Sequence, residues 1–316
     1  MNDILNLYRP EKVGKDFNGN NYEIHQLHMT ETELSTSLMT ETCATITDAD
    51  FRKIVKLAME HWGLHVTEKK RQLVSNRMSR FLRRSPFGST SEYLDFLAGS
   101  GNEEDYLAFF DLLSTNVTHF FRERAHFDFL EHEFYTPLAR GTLTLPGKRI
   151  RIWSAACSNG AEPFSMAIQA LQLLPELKSW DFKILASDLS TTMIQEATQA
   201  VYPLKMVERV EPELLSRYFL RGKGSQDGLV KVRGEARSLV TLRRMNLMEP
   251  WTMRGPFDVI FCRNVMIYFD KPTRSRLVQR MYDILRPGGY FMIGSAETLS
   301  GLDSPFSLVQ PAVYQK

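Results

Sequence analysis

Residues 149–163, RIRIWSAACSNGAEP, pass from a short apolar run into a loop of small residues and then into the start of a helix. A strand that empties into such a loop at a helix N-terminus is where α/β nucleotide-binding folds carry their glycine-rich turn. Here Ala155, Ala156, Ser158 and Gly160 keep the loop small, but it holds one glycine and places Glu162 at the helix start. Several glycines let a backbone approach a pyrophosphate, and a carboxylate at a helix N-terminus repels one. The loop better suits a ligand that is compact at this point and positively charged nearby, as the ammonium and sulfonium of S-adenosylmethionine are. An ordinary small-residue strand-to-helix turn fits the same letters.

Outward from this stretch, strands and helices alternate. EPFSMAIQALQLL reads as a helix, FKILASD as a strand, TTMIQEATQAV as a helix, then SLVTLRRMNL and FDVIFCRNV as strands, KPTRSRLVQRMYDIL as a helix, RPGG as a turn and YFMIGSAE as a strand. Strands joined by helices of this length imply a mostly parallel, doubly wound sheet that binds ligands at the carboxyl ends of its strands. Asp188 closes the second strand, where a carboxylate can accept both hydroxyls of a ribose; capping the next helix is an equal use for it. Asn246 and Leu247 close the third strand, where an amide or backbone groups can meet an adenine edge. The fourth strand delivers Arg263 and Asn264, with Tyr268 four residues further on, to the reacting end of the crevice. Val265 and Met266 stand where amino-methyltransferases of nucleic acids place two prolines, which argues against methylation of a base nitrogen. Residues 203–237 break the rhythm with a helix around PELLSRYF and a hairpin with a glycine-rich turn, an antiparallel insertion within the domain that spans 146–316.

Upstream, residues 46–140 read as an all-helical domain. TDADFRKIVKLAMEHWG offers Thr47 or Asp48 as a cap and Gly63 as a stop, and the next helix carries Val74, Met78, Phe81 and Leu82 as its buried stripe. In LSTNVTHFFRER, Asn116, Thr118, His119 and Arg122 interrupt an apolar run, and a helical segment would put Thr118 and Arg122 on one face. Charge is divided along the chain although the net is only +2: residues 51–84 hold ten Lys or Arg against two acids, and residues 92–133 hold ten acids against two bases. Residues 1–45, with seven acids and three bases and no sustained apolar period, are expected to form a flexible tail. Three scattered cysteines give no disulfide framework and no zinc motif, and Cys157 and Cys262 read as buried packing residues near the crevice. With no long apolar span and no apolar leader, the chain is expected to be soluble and cytoplasmic.

In combination, STNVTHFFRE, WSAACSNGAEPFS, ASDLS, MNL, CRNVMIYFD and LRPGGYFMIGSAE resemble the CheR family of chemotaxis-receptor methyltransferases over residues 46–316. The resemblance implies a Rossmann-like class I methyltransferase domain that carries a β-subdomain at 203–237. It implies methyl transfer from S-adenosylmethionine to receptor glutamates, without a metal. It maps the cofactor pocket onto Asn116, Thr118, Arg122, Glu162, Asp188, Asn246, Leu247, Arg263 and Asn264, with Arg122 and Tyr268 nearest the chemistry. The loop departs from the commoner family wording STGEEPYS at Asn159, Ala161 and Phe164, which implies altered contacts behind the pocket. Lys70, Arg77, Arg80 and Arg84 are expected to face the glutamate-rich helices of the receptor, the β-subdomain is a second docking element in some members, and the chain is expected to act as a monomer without nucleic acid. Two other readings fit parts of the pattern: a non-catalytic module that senses S-adenosylmethionine or its product, and a nucleic-acid methyltransferase.

Overall fold

The computed structural model describes residues 13–15, 21–23 and 46–316. The expected flexible tail therefore lies outside the described residues, except for two short strands, β1 (Val13–Lys15) and β2 (Asn21–Glu23), which pair antiparallel. From residue 46 the chain divides into two compact units.

One unit holds residues 46–58, 66–113 and 222–227. Its first helix, α1 (Asp48–Trp62), begins at Thr47, whose Oγ1 accepts the Asp50 amide at 3.1 Å. It ends at Gly63, which takes the left-handed φ of +66° that a side chain disfavours. α2 (Arg71–Leu82) follows a 3-10 turn, α3 (Thr90–Ser100) is capped by Ser89, whose Oγ accepts the Glu92 amide, and α4 (Glu103–Leu113) closes the unit. Apolar faces recurring at helical spacing supply the core: Ile54 and Ala58, Val74 and Met78, Tyr93 and Leu97, Phe109 and Leu113 are buried. The expected stripe on α2 is narrower than its letters suggest. Phe81 and Leu82 are half-buried, and Ser75 takes an inward place by accepting the Ile46 amide.

The other unit is built on a seven-stranded sheet in the order β11–β12–β10–β9–β3–β4–β8. Its strands are β3 (Arg149–Ala155), β4 (Asp181–Asp188), β8 (Val240–Arg244), β9 (Phe257–Cys262), β10 (Leu285–Ile293), β11 (Ser307–Gln310) and β12 (Val313–Gln315). The five strands from β10 to β8 are parallel, and β12 runs antiparallel to both its neighbours. Being central and covered on both faces, β9 is buried at all six positions, which is why it reads as one apolar run. Strand order reverses between β3 and β9, so their carboxyl ends frame the crevice where such sheets receive ligands. The expected RPGG turn is instead a bulge inside β10, with Gly288 at φ +72°.

Helices α5 (Arg124–Leu130) and α6 (Thr136–Ala139), joined by a π-turn, share the core of this sheet through Phe127, Phe134, Tyr135 and Leu138. Sequence reading extends the helical domain to residue 140; the side chains of 124–139 pack on the sheet instead, because their apolar positions meet α7 (Ala161–Leu173). The antiparallel insertion has one strand more than expected: β5 (Val201–Pro203) and β6 (Phe219–Arg221) both pair with β7 (Leu229–Val232). Among the described residues no helix is long and apolar enough to cross a membrane.

Candidate active site

Charge, rather than glycine, walls the crevice at the β3 and β9 tips. β9 ends by delivering Arg263, only 5 % exposed, between two carboxylates. Its Nη1 donates to Glu162 Oε2 at 2.9 Å, and its Nη2 donates to the Arg122 carbonyl at 2.7 Å and lies 3.1 Å from Glu123 Oε2. The remaining oxygen of Glu162 accepts Ser154 Oγ at 2.7 Å. Burial pushes the Glu162 carboxyl above its usual range, against the pull of Arg263 and Ser154. At Glu123 burial pushes the same way, but Arg263, the Ser295 amide and Asn264 outweigh it and hold the group below the usual range. Glu162 repels a phosphate less than its place in the sequence suggests, because Arg263 already pairs with it. A second feature works to the same end: Pro163, in the first turn of α7, removes one of the amide donors a phosphate would use.

The loop after β3 turns on three left-handed residues, Ala156, Ser158 and Gly160. At Gly160 a Cβ would lie 2.8 Å from Ala197 Cβ and 3.0 Å from the Phe164 ring, so only glycine lets the loop close on α7 and on α8 (Thr191–Gln199). Asp188 fastens the loop from the neighbouring strand. Its Oδ2 accepts the Ser158 amide at 2.8 Å and its Oδ1 accepts the Ser190 amide at 3.0 Å. Ser158 Oγ in turn donates to the Asn116 carbonyl at 3.1 Å. Beyond β8, Asn246 is engaged in its own turn: Oδ1 accepts the Met248 amide and Nδ2 donates to Glu249. Leu247 is buried, and its carbonyl accepts Arg280 Nη1 at 2.7 Å.

Segment 114–123 is irregular, with Phe121 and Glu123 at positive φ, so Thr118 and Arg122 do not share a helical face. The segment is held by the Phe121 amide donating to Ser165 Oγ at 2.9 Å, and Arg122 folds back to donate to the Val117 carbonyl at 2.7 Å. Half-buried His119 has its basicity lowered by burial and by Arg209, Arg122 and Arg263. Asn264 takes φ +57°, and Tyr268 ends a 3-10 turn (Met266–Tyr268) whose last carbonyl accepts the His65 amide at 2.7 Å.

Arg122, Glu162, Arg263 and Asn264 thus belong to one bonded cluster, and Asn116 and Asp188 meet at Ser158. Asn246 and Leu247 join through the neighbouring Met245, whose amide donates to the Asp188 carbonyl. Thr118 is half-buried on the segment that carries Arg122. Glu123 and Glu297 escape a sequence reading, although both stand inside quoted motifs, FFRE and GSAE. Cys157 and Cys262 are buried, and burial pushes both thiols well up. Arg263 is met by two carboxyl groups, Glu123 and Glu162, while Asp188 and Glu297 accept backbone amides of the adjoining loops; against the guanidinium groups of Arg122 and Arg263 these four leave an excess of acid that suits a ligand bearing cationic groups. In the helical unit the four expected docking cations are not equivalent. Lys70 and Arg77 are half-buried, Arg77 donates to the Leu112 carbonyl, and Arg80 and Arg84 stand exposed.

Comparison with known proteins gives a consistent answer. A family model described as "CheR methyltransferase, SAM binding domain" matches residues 116–314, and one described as "CheR methyltransferase, all-alpha domain" matches residues 49–114. The chain is 44% identical over 254 residues to "Chemotaxis protein methyltransferase 2" of Pseudomonas aeruginosa, which covers 79% of this chain and 87% of that protein. It is 38% identical to "Chemotaxis protein methyltransferase" of Salmonella typhimurium, with 85% and 90% covered. The protein of that name from Escherichia coli is 36% identical, with 87% and 93% covered.

Proposed function

Since the chain belongs to the CheR methyltransferase family, we propose that it transfers a methyl group from S-adenosylmethionine to glutamate side chains of methyl-accepting chemoreceptors. The products are glutamate 5-methyl esters and S-adenosylhomocysteine, and the setting is adaptation in the cytoplasm. The observation that carries this reading is the acid-rich cluster around Arg263 at the switch point of the sheet.

S-adenosylmethionine supplies an electrophilic methyl group on a sulfonium centre. In the chain, Glu162 and Glu123 give its cationic groups a complementary field, Asp188 takes the ribose, Asn246 and Leu247 border the adenine, and Asn116 and Thr118 line the approach. Arg122 clamps the cofactor's own carboxylate, a job its planar fork suits, while Arg263 and Asn264 shape the floor. A glutamate has a pKa near 4.3 and is already ionised at neutral pH, so the chain need not supply a strong base. What the site supplies is position: holding reactants aligned is worth roughly 7 to 11 kcal/mol of the barrier. Tyr268 closes the reacting end and offers its hydroxyl there. The receptor is met by the basic side of α2 and the residues after it, where Arg80 and Arg84 stand exposed together with Arg83.

The test is incubation of the purified chain with labelled S-adenosylmethionine and either a receptor cytoplasmic fragment or RNA. Base-labile label on receptor glutamates is expected. Label on RNA alone, or cofactor binding with no transfer to either, contradicts the proposal.

A further inference from the structure

Two glutamates, Glu123 beside the cofactor's proposed cationic end and Glu297 with no part in the cofactor reading, meet at one residue. Asn264 is gripped twice: its amide donates to Glu297 Oε2 at 2.9 Å, and its side-chain Nδ2 donates to Glu123 Oε1 at 3.2 Å. Each glutamate then reaches the tip of the next strand, β10. Glu297 Oε2 accepts the Gly294 amide at 2.6 Å, and Glu123 Oε2 accepts the Ser295 amide at 2.9 Å. Glu297 also accepts, through Oε1, the Ile267 amide at 3.1 Å, inside the turn that ends in Tyr268.

We propose that Glu123 and Glu297 are positioning residues for methyl transfer, a two-carboxylate clasp that fixes the β9 tip from Asn264 to Tyr268 against the β10 tip and beside Arg122. The inference rests on the activity proposed above, because it concerns where Tyr268 and Arg122 stand when that reaction occurs.

Three features support a clasp over two unrelated surface contacts. The junction is too tight for a side chain: a Cβ on Gly294 would lie 2.5 Å from Asn264 Nδ2 and 2.8 Å from Glu297 Oε2. Asn264 (φ +57°) and Glu123 (φ +58°) both hold the left-handed backbone, which persists in non-glycine residues only where the surroundings over-determine it. Finally, Glu297 accepts from the backbone N–H groups of Asn264, Ile267 and Gly294 through both its oxygens, which a carboxylate supplies and an amide does not. Glu123 continues the chain of contacts to Arg263 at 3.1 Å, which itself holds the Arg122 carbonyl. The two residues proposed nearest the chemistry are therefore referred to one frame.

The experiment compares wild type with Glu297→Gln, Glu123→Gln and Gly294→Ala by methylation kinetics on a receptor fragment, calorimetry with S-adenosylhomocysteine and thermal melting. Gln at 297 turns an NH₂ toward a backbone N–H, and Ala at 294 wedges the same junction from the other side. Because small misplacements of reacting groups cost about 10- to 100-fold in rate, kcat is expected to fall by about that much in Glu297→Gln and Gly294→Ala. Affinity for S-adenosylhomocysteine is expected to stay within about threefold in both, and Glu123→Gln is expected to lose kcat as well. Should Glu297→Gln fail to melt cooperatively, Gly294→Ala carries the test. Wild-type kcat in the folded variants, or an affinity loss as large as the rate loss in Glu297→Gln or Gly294→Ala, overturns the clasp alone. A wild-type chain inactive on the receptor fragment overturns the proposed activity and the clasp with it.

Discussion

Arg263 is the residue on which the site turns. A buried guanidinium is tolerable only when acceptors meet its N–H groups: Glu162 and the Arg122 carbonyl accept from its two Nη atoms and Glu123 lies beside one of them, while its Nε has no partner among the described residues. Arg122, by contrast, is half-buried: its Nη1 donates to the Val117 carbonyl and its Nε lies 4.0 Å from Glu123 Oε1. Arg122→Ala and Tyr268→Phe are expected to lower receptor methylation by about tenfold or more with cooperative melting retained, the first through weaker hold on the cofactor. Wild-type rates in both would remove them from the mechanism.

His126 supplies a pH signature. It is 3% exposed, and burial and then Arg263 push its imidazole down to about 4, against the opposing pull of Glu123. The unfolded chain takes up that proton near pH 6.5, well before the folded chain does. The contribution is therefore full above pH 6.5, declines as pH falls toward 4, and reaches a loss on the order of 3 kcal/mol. Urea unfolding of wild type and His126→Phe across pH 4 to 7 should show wild type losing stability relative to the variant as pH falls; a difference that stays constant with pH would contradict this.

At the scale of elements, the loop after β3 is a device for closing a strand onto a helix. Gly160→Ala must place a Cβ against Ala197 at 2.8 Å while holding φ +89°, so a destabilisation of about 1 to 3 kcal/mol is expected, measured by denaturant midpoint. An unchanged midpoint would mean that the loop has room the packing denies it.

The loop, the parallel strands and Asp188 were legible because a strand buried on both faces writes itself as a continuous apolar run, broken where the chain must turn. Other features were hidden for physical reasons. The stretch 124–139 has helical periodicity, and periodicity does not say which core a helix joins; Phe127 and Tyr135 settle that by packing on the sheet. Thr118 and Arg122 have the spacing of a helical face, but Phe121 and Glu123 adopt positive φ and the face never forms. Glu123 and Glu297 take their roles from backbone amides of distant segments, which no local pattern announces.

For the whole molecule, the uneven charge is the feature that outlasts local detail. The basic stretch 51–84 and the acidic stretch 92–133 cancel in the net charge, yet Lys69, Arg80, Arg83 and Arg84 stand exposed on α2 or beside its ends. A field of this kind speeds encounter with an acidic helical partner and is screened by salt. Charge reversal at Arg80 and Arg84 is expected to slow receptor methylation several-fold at low ionic strength, with the difference shrinking as salt is raised. Equal rates for the variant and wild type at low salt would mean that this face is only solvated surface.

All of this depends on which nucleoside the crevice between β3 and β9 accepts. Calorimetric titration of the purified chain with S-adenosylhomocysteine, NAD and ATP, repeated on Asp188→Ala, addresses it most directly. One molecule of S-adenosylhomocysteine bound per chain, about tenfold or more weaker binding in the variant, and no uptake of NAD or ATP is the predicted result. Binding of NAD or ATP with S-adenosylhomocysteine ignored would contradict it.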